Sequence, residues 1–224
     1  MNFLSHYYFE RFASESEQVL GGLLPDLLKN VDKNYSFQLH KLEHRLDFHP
    51  KSRAITEGWL RHVEVDKLFH GSDFFYVHTH QLRKHIEDIV HDLPIRASFL
   101  AHISLELLLD HLLIEQGIAN VARLYEHLEH VDRKVLELYL NELGEVDLER
   151  FFMFYDSFLA SKYIYDYAAI ENLPRALYNI CKRVWDFEPQ QRHFDELALR
   201  LGEYQLHYLE NYREIYTFIQ DKME

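Results

Sequence analysis

Glycine and proline are scarce in this 224-residue chain, with seven of the first and five of the second. β-Sandwiches and barrels need many turns, and turns draw on both residues, so the shortage argues against such folds and for long helices. Cysteine is nearly missing. Cys181 stands alone, so no internal disulfide can form and nothing points to an oxidising compartment. No basic leader with a small-residue cleavage site follows Met1, and the expected location is the cytoplasm. The longest apolar run, 97–114, is broken by His102, Glu106, Asp110 and His111. Four polar groups there argue against a membrane span. Positive charge is short too: 24 Lys and Arg face 37 Asp and Glu, a net charge of −13. General nucleic-acid binding, which neutralises phosphates, is therefore not expected.

What the chain does contain is apolar and aromatic. Hydrophobic residues make up 47% and aromatic ones 15%, enough to exclude disorder and to bury a core without disulfides. The expected fold is all-α: a single-domain helical bundle over 1–224, with metal-site segments in 1–116 and helices of 118–224 completing the core. Helices are expected near 2–14, 15–28, 37–47, 51–69, 73–90, 95–116, 118–143, 145–170, 174–185 and 190–222. The His49-Pro50 step and Gly71, Gly117 and Gly144 mark helix ends. Phe151, Phe152, Phe154, Tyr155 and Phe158 fall at helical spacing and read as packing.

Three strings carry possible chemistry. In GWLRHVEVDKLFH, His62, Asp66 and His70 are spaced four apart, so they share one face of one helix. Imidazole and carboxylate on one face suit a divalent transition metal, and equally a solvated polar stripe. In AHISLELLLDHLL, His102, Glu106 and Asp110 repeat that spacing, with His111 beside them. The flanks are leucine-rich, so this helix should be buried, and buried carboxylates need a cation or a polar partner. A metal is the preferred partner; an internal ion-pair or hydrogen-bond network is the alternative. If a cation does hold Asp110, removing that side chain should not weaken the metal-free protein. In LGGLLPDLLKN, Asp26 follows a Gly-Gly pair that permits close backbone approach; alone it also reads as an N-cap. His6, in MNFLSH, is a weaker member of the set. Four helices with inward His and carboxylates can build a metal site. A metal there would supply a nucleophile for phosphoester hydrolysis. His70, His102, His111 or Glu106 would handle protons.

These strings, in this order, resemble the bacterial acyl carrier protein phosphodiesterases. That family opens with an MNFLAH-like start and continues with GNLLADF-like, GI-x-x-H-x-x-x-D and L-D-x-x-x-D-H-F-L elements. The resemblance implies a helical fold related to HD-type phosphohydrolases and a divalent metal, manganese. It also implies hydrolysis of the phosphodiester joining 4′-phosphopantetheine to a serine of holo acyl carrier protein. Carried over by position, Asp26, His62, Asp66 and Asp110 would hold the metal. Asp66, His70, Asp110 and His111 would be catalytic, with His6, His102 and Glu106 behind them.

The chain departs from that pattern. About 15 extra residues separate Asp26 from Gly58. His70 and Glu106 stand at aspartate positions, and His102 at a Pro-like one. Acyl carrier protein is acidic, so docking it needs a local basic face. Arg53, Arg61, Arg83 and Lys84 are the candidates. The alternatives are an HD-like hydrolase of another small phosphoester and a non-enzymatic helical protein with a buried His/carboxylate network.

Overall fold

The computed structural model describes residues 1–223, apart from the side chain of Glu43. All regular secondary structure among them is helical: twelve α-helices and three short 3-10 segments. The all-α expectation holds. The HD-type relationship belongs to the proposal below.

Several long expected helices are divided. The stretch 118–143 forms α7 (Val121–Glu129) and α8 (Arg133–Leu143), because Asp132 turns its carboxylate onto the backbone N–H groups of Lys134 and Val135. The stretch 145–170 forms α9 (Leu148–Ser161), capped by Asp147, followed by 3-10 turns at Tyr163–Ala168 and Ile170–Asn172. The last stretch forms α11 (Gln191–Tyr208) and α12 (Arg213–Met223), broken where Leu209 and Tyr212 turn inward. The second helix, α2 (Ser16–Val31), runs on through Pro25, so Asp26 lies inside it and is not an N-cap. Among the aromatic residues of α9, Phe151, Tyr155 and Phe158 are buried as expected.

The residues cluster in two compact units. The first joins Met1–Ser5, Lys67–Ile118 and Ile164–Glu224. It contains α5 (Asp73–Ile86), α6 (Ala97–Glu115), α10 (Leu173–Cys181), α11 and α12. Its most extensive pairing is α5 on α6. By length and composition α6 would be able to cross a membrane, yet 67% of it is buried inside the protein, as befits a helix apolar nearly all round. The second unit joins His6–Asp66 and Ala119–Tyr163. There α2 packs on α7 and α9, and α3 (Glu43–Leu46) on α8. Two helices supply residues to both units: α1 (Phe3–Glu10) and α4 (Pro50–His70).

Within the second unit, α2 and α4 touch backbone to backbone. A Cβ on Gly58 would lie 2.1 Å from Gln18 O and 2.7 Å from Gly22 N, and one on Gly21 would lie 2.1 Å from Ile55 O. No side chain fits at that crossing. Gly58→Ala is therefore expected to destabilise the protein by ~3 kcal/mol or more, because rigid backbone atoms must move. Gly202→Ala in α11, whose Cβ would meet only Ile170 Cδ1 at 3.9 Å, is expected to stabilise by up to ~1 kcal/mol. Urea unfolding midpoints of the two variants check the contrast.

Candidate metal centre

The glycine crossing places His62. Its Nδ1 lies 2.9 Å from the carbonyl oxygen of Gly22. A carbonyl only accepts, so Nδ1 carries a proton and Nε2 is the ring nitrogen turned to the site. It faces two carboxylates, Asp66 Oδ2 at 3.7 Å and Asp26 Oδ1 at 4.0 Å. The ring of His6 stacks on that of His62, with centroids 3.7 Å apart. His6 Nε2 lies 3.4 Å from Asp66 Oδ1, and neither of its buried ring nitrogens makes a hydrogen bond.

Electrostatics fix the charge states. Burial, and then the neighbouring His62, pull the His6 imidazole down to about 3. Burial pushes the Asp66 carboxyl up, but the adjacent imidazoles of His6 and His62 outweigh it and hold the group well below the usual carboxylate range. At neutral pH the group is a neutral imidazole against an anion. A backbone-anchored imidazole, a second imidazole stacked on it and two acidic oxygens form a donor set that fits a divalent cation.

A second group forms in the first unit. His70 Nε2, His102 Nε2 and Glu106 Oε1 are mutually 3.2, 3.3 and 3.0 Å apart. The amino group of Met1 is 3.3 Å from the same Glu106 oxygen. Burial raises the Glu106 carboxyl, but Met1, His102 and His70 together hold it well below its ordinary range.

Asp110 and His111 lie outside both groups. Asp110 is fully buried and holds the start of α1. Its Oδ2 accepts from Asn2 Nδ2 (2.9 Å) and the Leu4 backbone N–H (3.1 Å). Its Oδ1 accepts from the Ser5 N–H (2.8 Å) and Ser5 Oγ (2.7 Å). Those four bonds use the acceptor sites a carboxylate has, so its work here is helix capping. Burial still pushes its carboxyl up to about 6. His111 is also a core group: its Nδ1 donates to the Tyr167 carbonyl at 2.7 Å.

The basic candidates are mostly compensated. Arg53 pairs with Asp47 at 2.7 Å, Arg83 lies 4.0 Å from Glu87, and Arg61 lies 3.4 Å from the buried Glu10. Lys84 is exposed. Sequence reasoning missed the Gly22 carbonyl that orients His62. The Gly-Gly pair and Gly58 were its only trace.

Two outcomes follow. The His6 imidazole is depressed from 6.5, so its contribution to stability is intact above pH 6.5 and is lost as pH falls toward 3. With chelator present, the wild type is expected to lose roughly 2 kcal/mol more than His6→Gln between pH 7 and pH 5; urea melts at the two pH values measure it. Asp110→Ala strands the Leu4 and Ser5 N–H groups. It is expected to cost on the order of 3 kcal/mol without metal, the reverse of what a pure metal ligand would give. A metal-free melt unchanged by the substitution would restore the ligand reading.

No protein-family model matches this chain, and neither a curated protein nor a solved structure matches it.

Proposed function

We propose that this protein is a metal-dependent phosphodiester hydrolase of the cytoplasm whose cation is held by Asp26, His62 and Asp66, with His6 beside them. The observation that carries the reading is His62: its Nδ1 is tied to Gly22 O, and its Nε2 faces two carboxylates. Hard octahedral cations hold ligands at ~2.1 Å, hence roughly 3 Å apart for neighbours and ~4 Å for opposite positions. The separations of 3.4–4.0 Å fall in that range. Nitrogen among the ligands disfavours calcium, and the carboxylate oxygens accommodate manganese, the ion the sequence resemblance implies. When bound, such a cation supplies Lewis acidity for attack of water on a phosphoester. The chain's part is to keep Asp66 ionised, His6 neutral and His62 in one tautomer.

The substrate proposed is the phosphodiester between 4′-phosphopantetheine and a carrier-protein serine, which rests on the resemblance of the four N-terminal strings, as does the relation to HD-type phosphohydrolases. One observation favours the runner-up, a small phosphoester: Arg53, Arg61 and Arg83 each sit against a carboxylate, which weakens the local field an acidic partner would need.

The test uses manganese-loaded protein with two substrates, holo acyl carrier protein, followed by loss of the prosthetic-group mass, and a small chromogenic phosphodiester. His62→Ala and Asp66→Asn are expected to lower both rates by at least ~10–100-fold, as loss of groups even one step from a metal does. Arg53→Glu is expected to slow only the carrier-protein reaction, and more so at low salt. Arg61 is unsuitable for charge reversal, because a carboxylate there would face buried Glu10. Cleavage of the small ester alone would select the runner-up. No cleavage of either by folded, metal-loaded protein would sink the hydrolase reading and favour a non-enzymatic network.

A further inference from the structure

We propose that His70, His102 and Glu106 form a second, separate site for a divalent transition metal of the zinc class. The proposal does not depend on the hydrolase reading. Its first support is shape. The three donor atoms make a nearly equilateral triangle with edges of 3.0, 3.2 and 3.3 Å. Ligands of a tetrahedral zinc ion at ~2.0–2.1 Å stand roughly 3.3–3.4 Å apart. An ion seated just above the triangle needs almost no rearrangement of the side chains.

Protons alone leave one edge of this triangle unexplained. Each imidazole Nε2 carries either one hydrogen or one lone pair. Both can donate to Glu106 Oε1, but the two Nε2 atoms then stand 3.2 Å apart, each with its hydrogen given elsewhere. A cation shared by the three atoms accounts for that edge as well. Two imidazoles and one carboxylate also match zinc, cobalt or ferrous iron better than magnesium or calcium, which take oxygen.

The second support is rigidity. His102 and Glu106 are one turn apart on α6, so their side chains rise together. His70 ends α4, and the turn after it is pinned: Ser72 Oγ donates to Phe69 O at 2.6 Å and accepts from Phe75 N–H at 3.1 Å. The ring of Phe75 meets both imidazoles edge-on, with centroids 4.9 Å away in each case. These contacts hold the ligands in place before any ion arrives.

The third support is access. The side chains of His70 and His102 are 33% and 40% exposed, while that of Glu106 is 14% exposed. An ion would enter from solvent and keep an open position for water or an external ligand, as three-ligand zinc sites do. The Met1 amino group, 3.3 Å from Glu106 Oε1, is the cation it would displace.

The experiment is titration of the chelator-stripped full chain with zinc alone, by calorimetry, and with cobalt(II) alone, by visible absorption. Wild type is expected to bind zinc in two independent classes. His62→Ala should keep the class that gives the intense visible band of low-coordinate cobalt. His102→Ala and the milder Glu106→Gln should each lose that band and weaken that class at least tenfold, with circular dichroism unchanged. The proposal is overturned if both variants, folded, bind zinc and cobalt as the wild type does. It is also overturned if a single class is seen and His62→Ala abolishes it. Absence of hydrolysis would leave the zinc result as it stands, so the two readings fail separately.

Discussion

The crossing of α2 and α4 is the constraint on which the candidate hydrolytic site rests. Gly21 and Gly58 let the two backbones meet at a distance no Cβ tolerates. Only at that distance does the His62 imidazole, one turn beyond Gly58, reach the Gly22 carbonyl. Pro25 lies in the same part of α2 and cannot donate to the carbonyl four residues back. The helix thus tolerates an irregularity beside the point where it serves as a hydrogen-bond acceptor for α4. Backbone geometry at three glycines becomes a proton location on one ring.

The two polar groups solve the problem of a buried charge differently. Around Asp66 the carboxylate lies against the imidazoles of His6 and His62 and keeps about a third of its side chain in solvent. Around Glu106 the carboxylate has two half-exposed imidazoles and an amino group within reach, and solvent shares the load. Asp110 shows a third solution. Its charge is spread over backbone donors at a helix start, where the helix dipole favours an anion.

Much of this was legible in the sequence. The shortage of glycine and proline pointed to helices, and the spacing of His62 and Asp66 placed them on one face. Gly117 and Gly144, read as helix ends, do take positive φ. The helix break at Asp132 rests on a local N-cap, its carboxylate on the Lys134 and Val135 N–H groups, which the helix expected over 118–143 passed over. The break at Leu209 was not legible, because it depends on a partner distant in the chain: the Tyr212 hydroxyl donates to Gln116. The role of Asp110 was hidden for the same reason. Periodicity shows that a carboxylate is buried, but not that its donors are the backbone of residues over a hundred positions earlier. The three Nε2 and Oε1 atoms near His70 were visible only as separate members of two strings, since His70 and His102 belong to different helices.

The hydrogen bond between Ser5 Oγ and the Tyr216 hydroxyl, 2.8 Å long, closes a loop of 211 positions. On a ribosome adding ~5–20 residues per second, Ser5 waits on the order of ten to forty seconds for that partner. The second unit, by contrast, has all its segments by Tyr163. Synthesis therefore offers a natural order, in which the α2–α4 crossing can form early while α6, the most apolar helix, stays without α10, α11 and α12. During that interval its leucine face has α5 to pack on but lacks the cover that α10 and α11 later supply.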